Sequence, residues 1–357
     1  MTKLETILNT WQQMQPLTDE QQKQLERKFT LEFNYNSNHI EGNTLTYGET
    51  ELLLMFGKII GDNNERYVRE MKASNVGLLL MQQEAEDKEK PLTESFIRSL
   101  HHTLLVEDYE VYRQDKFGNT FEYTVHAGIY KTRPNSVITV TGERFEYASP
   151  EETPILMTDL VCWYNQAEQS GEYTPVELAS VLHYRYIRIH PFEDGNGRIA
   201  RLLVNYVLHR HGYPMMVIRS KKKEQYLKAL NHCDKIVGAM PFTGANADLK
   251  QLKAFVRYME QSLEDEVSTN IRIITEASRN LWLYNGDLVT FRNENTIRIL
   301  EAMQADGKVS IRNLTEMLGI NKSAVQKQIK SLQDKGYIMR EGGQKGVWQV
   351  IIYCTTK

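Results

Sequence analysis

The stretch His190-Pro-Phe-Glu-Asp-Gly-Asn-Gly-Arg-Ile-Ala-Arg201 places an imidazole, a carboxylate beside a glycine pair, and two arginines within twelve residues. Gly195 and Gly197 tolerate the dihedrals that turn successive backbone N–H groups inward, and Arg198 onward reads as the first turn of a helix. The segment therefore predicts an anion-binding concavity at a helix N-terminus. Arg198 and Arg201 are three apart and share a helical face, with Ile199, Leu202, Leu203, Tyr206 and Val207 as the buried stripe. Both guanidinium groups can then reach one ligand. Asp194 offers a carboxylate oxygen suited to Mg2+, which binds through one or two carboxylates plus substrate phosphates. His190 precedes Pro191, which biases it out of the helical region and ends the helix before it, and its imidazole takes up a proton near neutral pH. These are the parts for holding a nucleoside triphosphate beside a base.

Upstream, Thr174-Pro-Val-Glu177 combines an N-cap, a first-turn proline and a capping-box glutamate. The helix it opens carries Leu178, Val181, Leu182 and Tyr186 toward His190, giving a helix-loop-helix. Downstream, a helix from about Lys222 bears Tyr226, Leu227 and Leu230, and another covers Leu249 through Leu263. The chain reads as helical up to residue 110. Thr18-Asp-Glu-Gln21 and Thr46-Tyr-Gly-Glu49 act as helix starts, and residues 64–86 and 93–106 as two further helices. Ser37 and Glu41 lie four apart on one helical face, with Gly42 placed to end it. From Phe117 to Tyr147 the pattern turns β-branched and aromatic around Arg133-Pro-Asn-Ser136 and Thr141-Gly142, which predicts a β-hairpin in a helical protein.

Residues 264–290 read as a linking helix with Leu281-Trp-Leu-Tyr284 as an apolar patch. After it, helices over Thr296–Gln304, Ser310–Leu318 and the segment bearing Val325, Ile329 and Leu332 precede a hairpin of Gly336–Arg340 and Val347–Ile351 about a Gly-rich turn. Three helices and a wing predict a winged helix-turn-helix, exposing Ser323, Gln326, Lys327 and Lys330 on the third helix and Lys345 on the wing. Residues 290–357 hold eleven Lys/Arg against six Asp/Glu, so this end carries +5 and the remainder −8 of the net −3. That surplus suits an acidic partner, DNA among them. The expected layout is mainly α: an N-terminal helical region 1–92, a catalytic core 93–264, a linker helix 265–290 and an α+β winged helix 291–357.

At 357 residues, 41% apolar and 25% charged, the composition is that of a globular protein of two or three domains. No apolar run approaches the ~20 residues that cross a bilayer, and Met-Thr-Lys-Leu-Glu has no apolar signal core. Cys162, Cys233 and Cys354 form no CxxC pair, which predicts neither a disulfide framework nor a zinc site, and a reducing, cytoplasmic setting.

The twelve residues from His190 fill each fixed position of HPFx[D/E]GNGRxxR, and the chain resembles the Fic family of the Fic/Doc superfamily over roughly residues 30–265. The resemblance implies a helical bundle with a β-hairpin flap that transfers AMP from ATP to a Ser, Thr or Tyr hydroxyl of a target protein. It implies His190 as base and Mg2+ on Asp194. Backbone N–H groups from Gly195 through Asn196 and Gly197 to Arg198 would cradle phosphates, Arg198 would neutralise their β/γ end, and Arg201 would hold the γ-phosphate bidentately. Phe192 would anchor the loop, and Glu193 receives no role. Val137 and Ile138 would face the nucleotide on the flap, whose Val137–Val140 strand pairs with the target backbone. Tyr226 matches a tyrosine near the adenine, or serves only as a core aromatic. Asp234 stands where some relatives carry an adenine-contacting Asn.

Ser37-x-x-x-Glu41-Gly42 resembles the family's inhibitory motif, which implies a Glu41–Arg201 pair where the γ-phosphate belongs; in some relatives that glutamate also orients water for AMP removal. Self-modification and a homodimer fit the same picture. The alternatives are a de-AMPylase and a nucleotide-sensing regulator acting through the winged helix. Gly197, where the phosphate-transferring branch carries Lys, speaks against phosphoryl transfer.

Overall fold

The computed structural model describes residues 2–59, 64–114, 120–138, 144–276, 280–342 and 346–354. In chain order, helices α1 (Lys3–Gln13), α2 (Asp19–Ile40), α3 (Tyr47–Phe56), α4 (Glu65–Glu86) and α5 (Glu94–Leu105) precede strands β1 (Tyr109–Gln114), β2 (Thr120–Val125), β3 (Ser136–Ile138) and β4 (Arg144–Glu146). Next come α6 (Thr153–Ser170), α7 (Pro175–Ile189), α8 (Asn196–Arg210), α9 (Lys223–Val237), α10 (Pro241–Ala245) and α11 (Lys253–Thr275). The chain closes with β5 (Leu281–Tyr284), β6 (Asp287–Thr290), α12 (Glu294–Ala305), α13 (Ile311–Leu318), α14 (Lys322–Asp334), β7 (Ile338–Glu341), β8 (Val347–Val350) and β9 (Tyr353–Cys354). No helix among the described residues is long and apolar enough to cross a membrane.

The expected helix starts form as capping interactions. At Thr174 the hydroxyl accepts from Glu177 N and the Glu177 carboxylate accepts from Thr174 N at 2.8 Å; Thr46/Glu49 and Thr18/Gln21 repeat the pattern. One compact unit comprises residues 36–43 and 69–264. Its centre is the pair α7 and α8, buried on nearly every face: Leu182, Tyr186 and Ile189 of the first and Ile199, Leu203 and Val207 of the second are all at or near zero exposure. Two small antiparallel ribbons sit in this unit, β1 with β2 and β3 with β4. The single hairpin expected over 117–147 is therefore two, and β1 begins at Tyr109, inside the span read as helical. Thr139 and Val140 of the expected flap strand lie outside the described residues.

The other unit comprises residues 1–35, 44–68 and 265–357. Of the expected boundaries, the one between 264 and 265 coincides with this division, whereas those at 92 and 290 do not. The linker helix over 265–290 is corrected: α11 ends at Thr275, and residues 281–290 are a hairpin whose β5 also pairs with β9. Asn285 and Gly286 take φ of 45° and 75°, the left-handed pair of a two-residue turn, while Trp282 is fully buried in the core formed by Ile297, Leu300, Leu314, Val325 and Ile329. α12 to α14, with β7 and β8, give the expected winged helix. Gly319 (φ 67°) closes α13 and Asn321 caps α14, leaving Ser323, Gln326, Lys327 and Lys330 exposed. Lys345 of the wing lies outside the described residues.

Because Thr174 fixes the start of the helix that delivers His190, Thr174→Ala should lower stability by about 1 kcal/mol. Thermal unfolding monitored by circular dichroism should show a melting point lowered by a few degrees, whereas an unchanged one would show the cap to be idle.

Candidate active site

α7 stops because His190 adopts φ 52°, ψ 61°, and α8 starts from Gly195 at φ 75°. Between these two left-handed residues the chain makes the turn that carries the predicted chemistry. α8 begins at Asn196, two residues before the expected start. The loop is tied from within: the Asn196 side chain accepts from Phe192 N at 3.0 Å and donates to Phe192 O at 2.7 Å. Phe192 is fully buried, as expected, and its ring stacks on His101 at 3.7 Å with 4° between planes.

His101 is a structural anchor of this loop. Its Nε2 bonds Asp194 O at 3.0 Å, and its Nδ1 accepts from Gly128 N at 2.8 Å. Acceptance at Nδ1 leaves Nε2 as the protonated nitrogen, so Nε2–H donates to the Asp194 carbonyl. Tyr109, from a segment read as helix, donates its hydroxyl to Asp194 Oδ2 at 2.5 Å, while Gly195 N donates to Asp194 Oδ1 at 2.6 Å. Position 101 carried no motif; only the three-dimensional approach of α5 to the loop reveals it.

The imidazole of His190 stacks on Tyr147 at 4.0 Å. Burial, then the charge of Lys131, lowers its pKa to about 4, so at neutral pH it is the proton-accepting form. Its Nδ1 is buried with no hydrogen-bond partner among the described residues. Asp194 keeps 40% of its side-chain surface open, with Arg198 Nη2 3.9 Å from Oδ2. Among the described residues no cluster of three His, Cys, Asp or Glu could hold a metal unaided. One open carboxylate beside a helix N-terminus does fit Mg2+ shared with phosphates, the hard-cation arrangement that needs few protein ligands.

The two arginines part company. Arg198 is buried near Asp194, whereas Arg201 is engaged elsewhere: Nε donates to Ser37 Oγ at 3.0 Å, and Nη2 to Ser37 O at 2.9 Å and Glu41 Oε1 at 2.7 Å. The expected Glu41–Arg201 contact exists, through Nη2 alone, while Ser37 takes Nε and shares Nη2. α2 ends at Ile40, so Glu41 sits just beyond the helix in a turn closed by Gly42 at φ 95°. Partial burial pushes the Glu41 carboxyl up; the charge and hydrogen bond of Arg201, with Arg198 behind, outweigh it and bring it below the usual carboxylate range.

Gly197 serves differently from the sequence reading. It has no left-handed φ. Instead, a Cβ there would lie 2.3 Å from Glu41 Oε1 and 3.1 Å from Arg201 Nη1, so its bare backbone makes room for the pair. Lys223 donates to Ile40 O at 2.7 Å and caps α2 beside Glu41.

Tyr226 is buried, its hydroxyl 2.9 Å from His183 Nε2. Asp234 accepts from Tyr184 at 2.7 Å and pairs with Arg188 at 3.2 Å, a structural engagement. Val137 and Ile138 stand on β3, opposite Phe145 and Arg144 of β4.

These elements define a helical domain in which one helix N-terminus presents a backbone nest beside a neutral imidazole and two arginines, carried in the same chain as a winged helix. The Fic/DOC family model matches residues 91–208, and a winged helix-turn-helix DNA-binding model matches 292–339. A crystal structure of a Fic-domain-containing signaling protein from Bacteroides thetaiotaomicron is 55% identical, with a TM-score of 0.70 over 76% of this chain and 96% of that one. The chain belongs to the Fic/DOC family. It is 29% identical to protein adenylyltransferase fic-1 of Caenorhabditis elegans over 71% of this chain and 43% of that protein. It is 32% identical to protein adenylyltransferase Fic of Drosophila grimshawi over 56% and 38%. It thus spans less than half the length of these curated relatives.

Three histidines are held neutral by burial: His101 and His190 with pKa values lowered to about 4, and His183 to about 3. Their unfolded values lie near 6.5, so the unfolded chain takes up protons first as pH falls. Stability is fully present above about 6.5 and drains away toward 4, by several kcal/mol in total. Urea unfolding at pH 7.0 and 5.0 should show this loss, and His101→Phe, which retains the stack, should reduce it; equal stability at both pH values would contradict neutral burial.

Proposed function

We propose that the chain is an ATP-dependent protein adenylyltransferase that Glu41 holds in check. The observation that carries this reading is the placement of Arg201. The guanidinium that would grip a terminal phosphate faces the nest, already occupied by Ser37 and a carboxylate that sits where the anion would go.

The chemistry follows from the site. The triphosphate lies along the N–H groups from Gly195 to Arg198, where the helix N-terminus favours negative charge. A Ser, Thr or Tyr hydroxyl of the target attacks the α-phosphorus. Its oxygen forms the new P–O bond, its proton passes to the neutral His190 imidazole, and the bond to the bridging oxygen breaks to release pyrophosphate. Arg198 and, once freed, Arg201 offset the charge that develops on the leaving group. Bound by Asp194 and the phosphates, Mg2+ would supply further positive charge there. β3, paired among the described residues with β4 alone, suits strand addition by the target backbone.

The restraint is finite. The Glu41 side chain is 41% exposed while Arg201 is 3% exposed, and an ion pair open to water on one side is worth on the order of 1 kcal/mol. That is about five-fold in an equilibrium, to which exclusion of the γ-phosphate adds. The latch therefore slows transfer and does not abolish it.

A second reading rests on the exposed Ser323, Gln326, Lys327 and Lys330 face of α14, which suits phosphate contact and makes DNA a partner of the winged helix. Binding to duplex DNA that weakens steeply between 50 and 200 mM salt would support it; salt-independent or absent binding would not.

Glu41→Gly should raise AMP incorporation, measured with labelled ATP and Mg2+, by at least about five-fold, and His190→Ala in that background should remove it while ATP binding persists. Intact mass after incubation should rise by about 329 Da, the mass of an AMP adduct, whereas a rise of about 80 Da would mean phosphoryl transfer. Undiminished labelling in His190→Ala removes the imidazole from the mechanism.

A further inference from the structure

We propose that Lys131 and Asn135 are positioning residues that fasten the flap strand and the catalytic loop into one body, so that a target paired with β3 arrives in register with His190. This rests on the adenylyl-transfer reading for its consequence, although the fastening itself is visible in the structure.

The segment 131–135 enters β3 directly at Ser136 and lies along the loop residue by residue. Lys131 N donates to Pro191 O at 2.8 Å. Lys131 Nζ donates to Ile189 O at 3.0 Å, to His190 O at 2.8 Å and to Asn135 Oδ1 at 2.8 Å. Asn135 Nδ2 donates to Phe192 O at 3.0 Å. Thr132 donates from both N and Oγ1 to the Glu193 carboxylate, at 3.3 and 3.2 Å, which gives a place to the one motif residue that sequence left without a role. Four consecutive carbonyls, from Ile189 to Phe192, thus take their hydrogen bonds from the root of the flap.

The geometry matters because of where those carbonyls are. Ile189 and His190 end α7, whose last carbonyls have no partner within the helix, and a cation at a helix C-terminus is favoured by the dipole as well as by hydrogen bonding. An ammonium has three N–H groups, and each finds an acceptor here. Lys131 is 3% exposed, and its ammonium would be costly there without them. Burial still draws its pKa down to about 7, with Glu152 pulling the other way. A left-handed residue bearing a side chain costs roughly 1–2 kcal/mol, and the capping of its own carbonyl and its neighbours' is what holds His190 there. Without Lys131 the two carbonyls would need water, the turn would loosen, and the flap root would lose its attachment in the same event.

The test uses the full chain in the Glu41→Gly background, comparing Lys131→Met, Lys131→Arg and Asn135→Ala. Amide hydrogen exchange should quicken together in the 189–193 loop and at 131–138 in Lys131→Met, with the winged helix unaffected. Self-labelling at saturating ATP should fall about ten-fold or more while the KM for ATP shifts by no more than about two-fold, since the phosphates are held elsewhere and misplacement of reacting groups acts on turnover. Lys131→Arg, which keeps the charge and offers more donors, should recover much of the rate, and Asn135→Ala should show a smaller version of both effects.

Unchanged exchange in Lys131→Met overturns the proposal. Faster exchange in the loop with the flap root unaffected also overturns it, as does a loss expressed wholly in the KM for ATP. Should the Glu41→Gly parent transfer no AMP at all, it is the adenylyl-transfer reading that fails, and the exchange data still decide whether the fastening exists.

Discussion

At His190 the backbone leaves a right-handed helix, becomes left-handed for one residue, and within five residues re-enters a helix through a second left-handed residue at Gly195. Two buried helices, α7 and α8, leave no latitude for where that turn goes, and a proline directly after His190 prevents α7 from simply continuing. The turn's polar groups must be satisfied by what surrounds it. Asn196 serves it from within, His101 from α5, and Lys131 and Asn135 from the flap root. The imidazole and the nest are held in fixed relation because the backbone between them has been bonded on every side.

The same packing explains the electrostatics. Enclosure that keeps His190 neutral also strips water from Arg201, and a guanidinium with 3% exposure must be matched by acceptors at all times. With no nucleotide bound, Ser37 and Glu41 supply them. A phosphate would be an equally good acceptor with more charge, so on the proposed reading the carboxylate and the anion would compete for one donor set. If Arg201 grips a phosphate as proposed, inhibition would be how the protein keeps this arginine supplied with acceptors between turnovers.

Much of this was legible in the sequence, for identifiable reasons. Capping boxes are local chemistry, and Thr18, Thr46 and Thr174 each start the helix their neighbours predict. The Ser37/Glu41 pairing with Arg201 followed from spacing combined with a family pattern. What stayed hidden depends on distance in the chain. His101 and Tyr109 reach Asp194 from 93 and 85 residues away, and nothing in their own neighbourhoods marks them. Gly197 was assigned backbone freedom, when its contribution is the missing Cβ that lets Glu41 in. The β5–β6 hairpin was missed for a different reason. Leu281-Trp-Leu-Tyr284 lacks polar alternation because Leu281, Trp282 and Leu283 are all buried, so only the Asn285-Gly286 turn signal distinguished it from a helix.

The position of Glu41 along the chain bears on how the restraint can be lifted. Were it inside α2, withdrawing the carboxylate would mean moving or unwinding a helix of 22 residues. It lies one residue past the end instead, in a turn where Glu41 N bonds Asn38 O and Gly42 N bonds His39 O, and where Lys223 holds the final carbonyl of the helix. The helix can stay capped while the glutamate side chain swings away about its own torsions, an event of rotamer scale. Ser37, by contrast, is buried within the helix and cannot follow. A release of this kind frees only the Nη2 N–H that Glu41 held, while Nη2 and Nε remain anchored to Ser37 O and Oγ, so Arg201 keeps its aim as it changes partners.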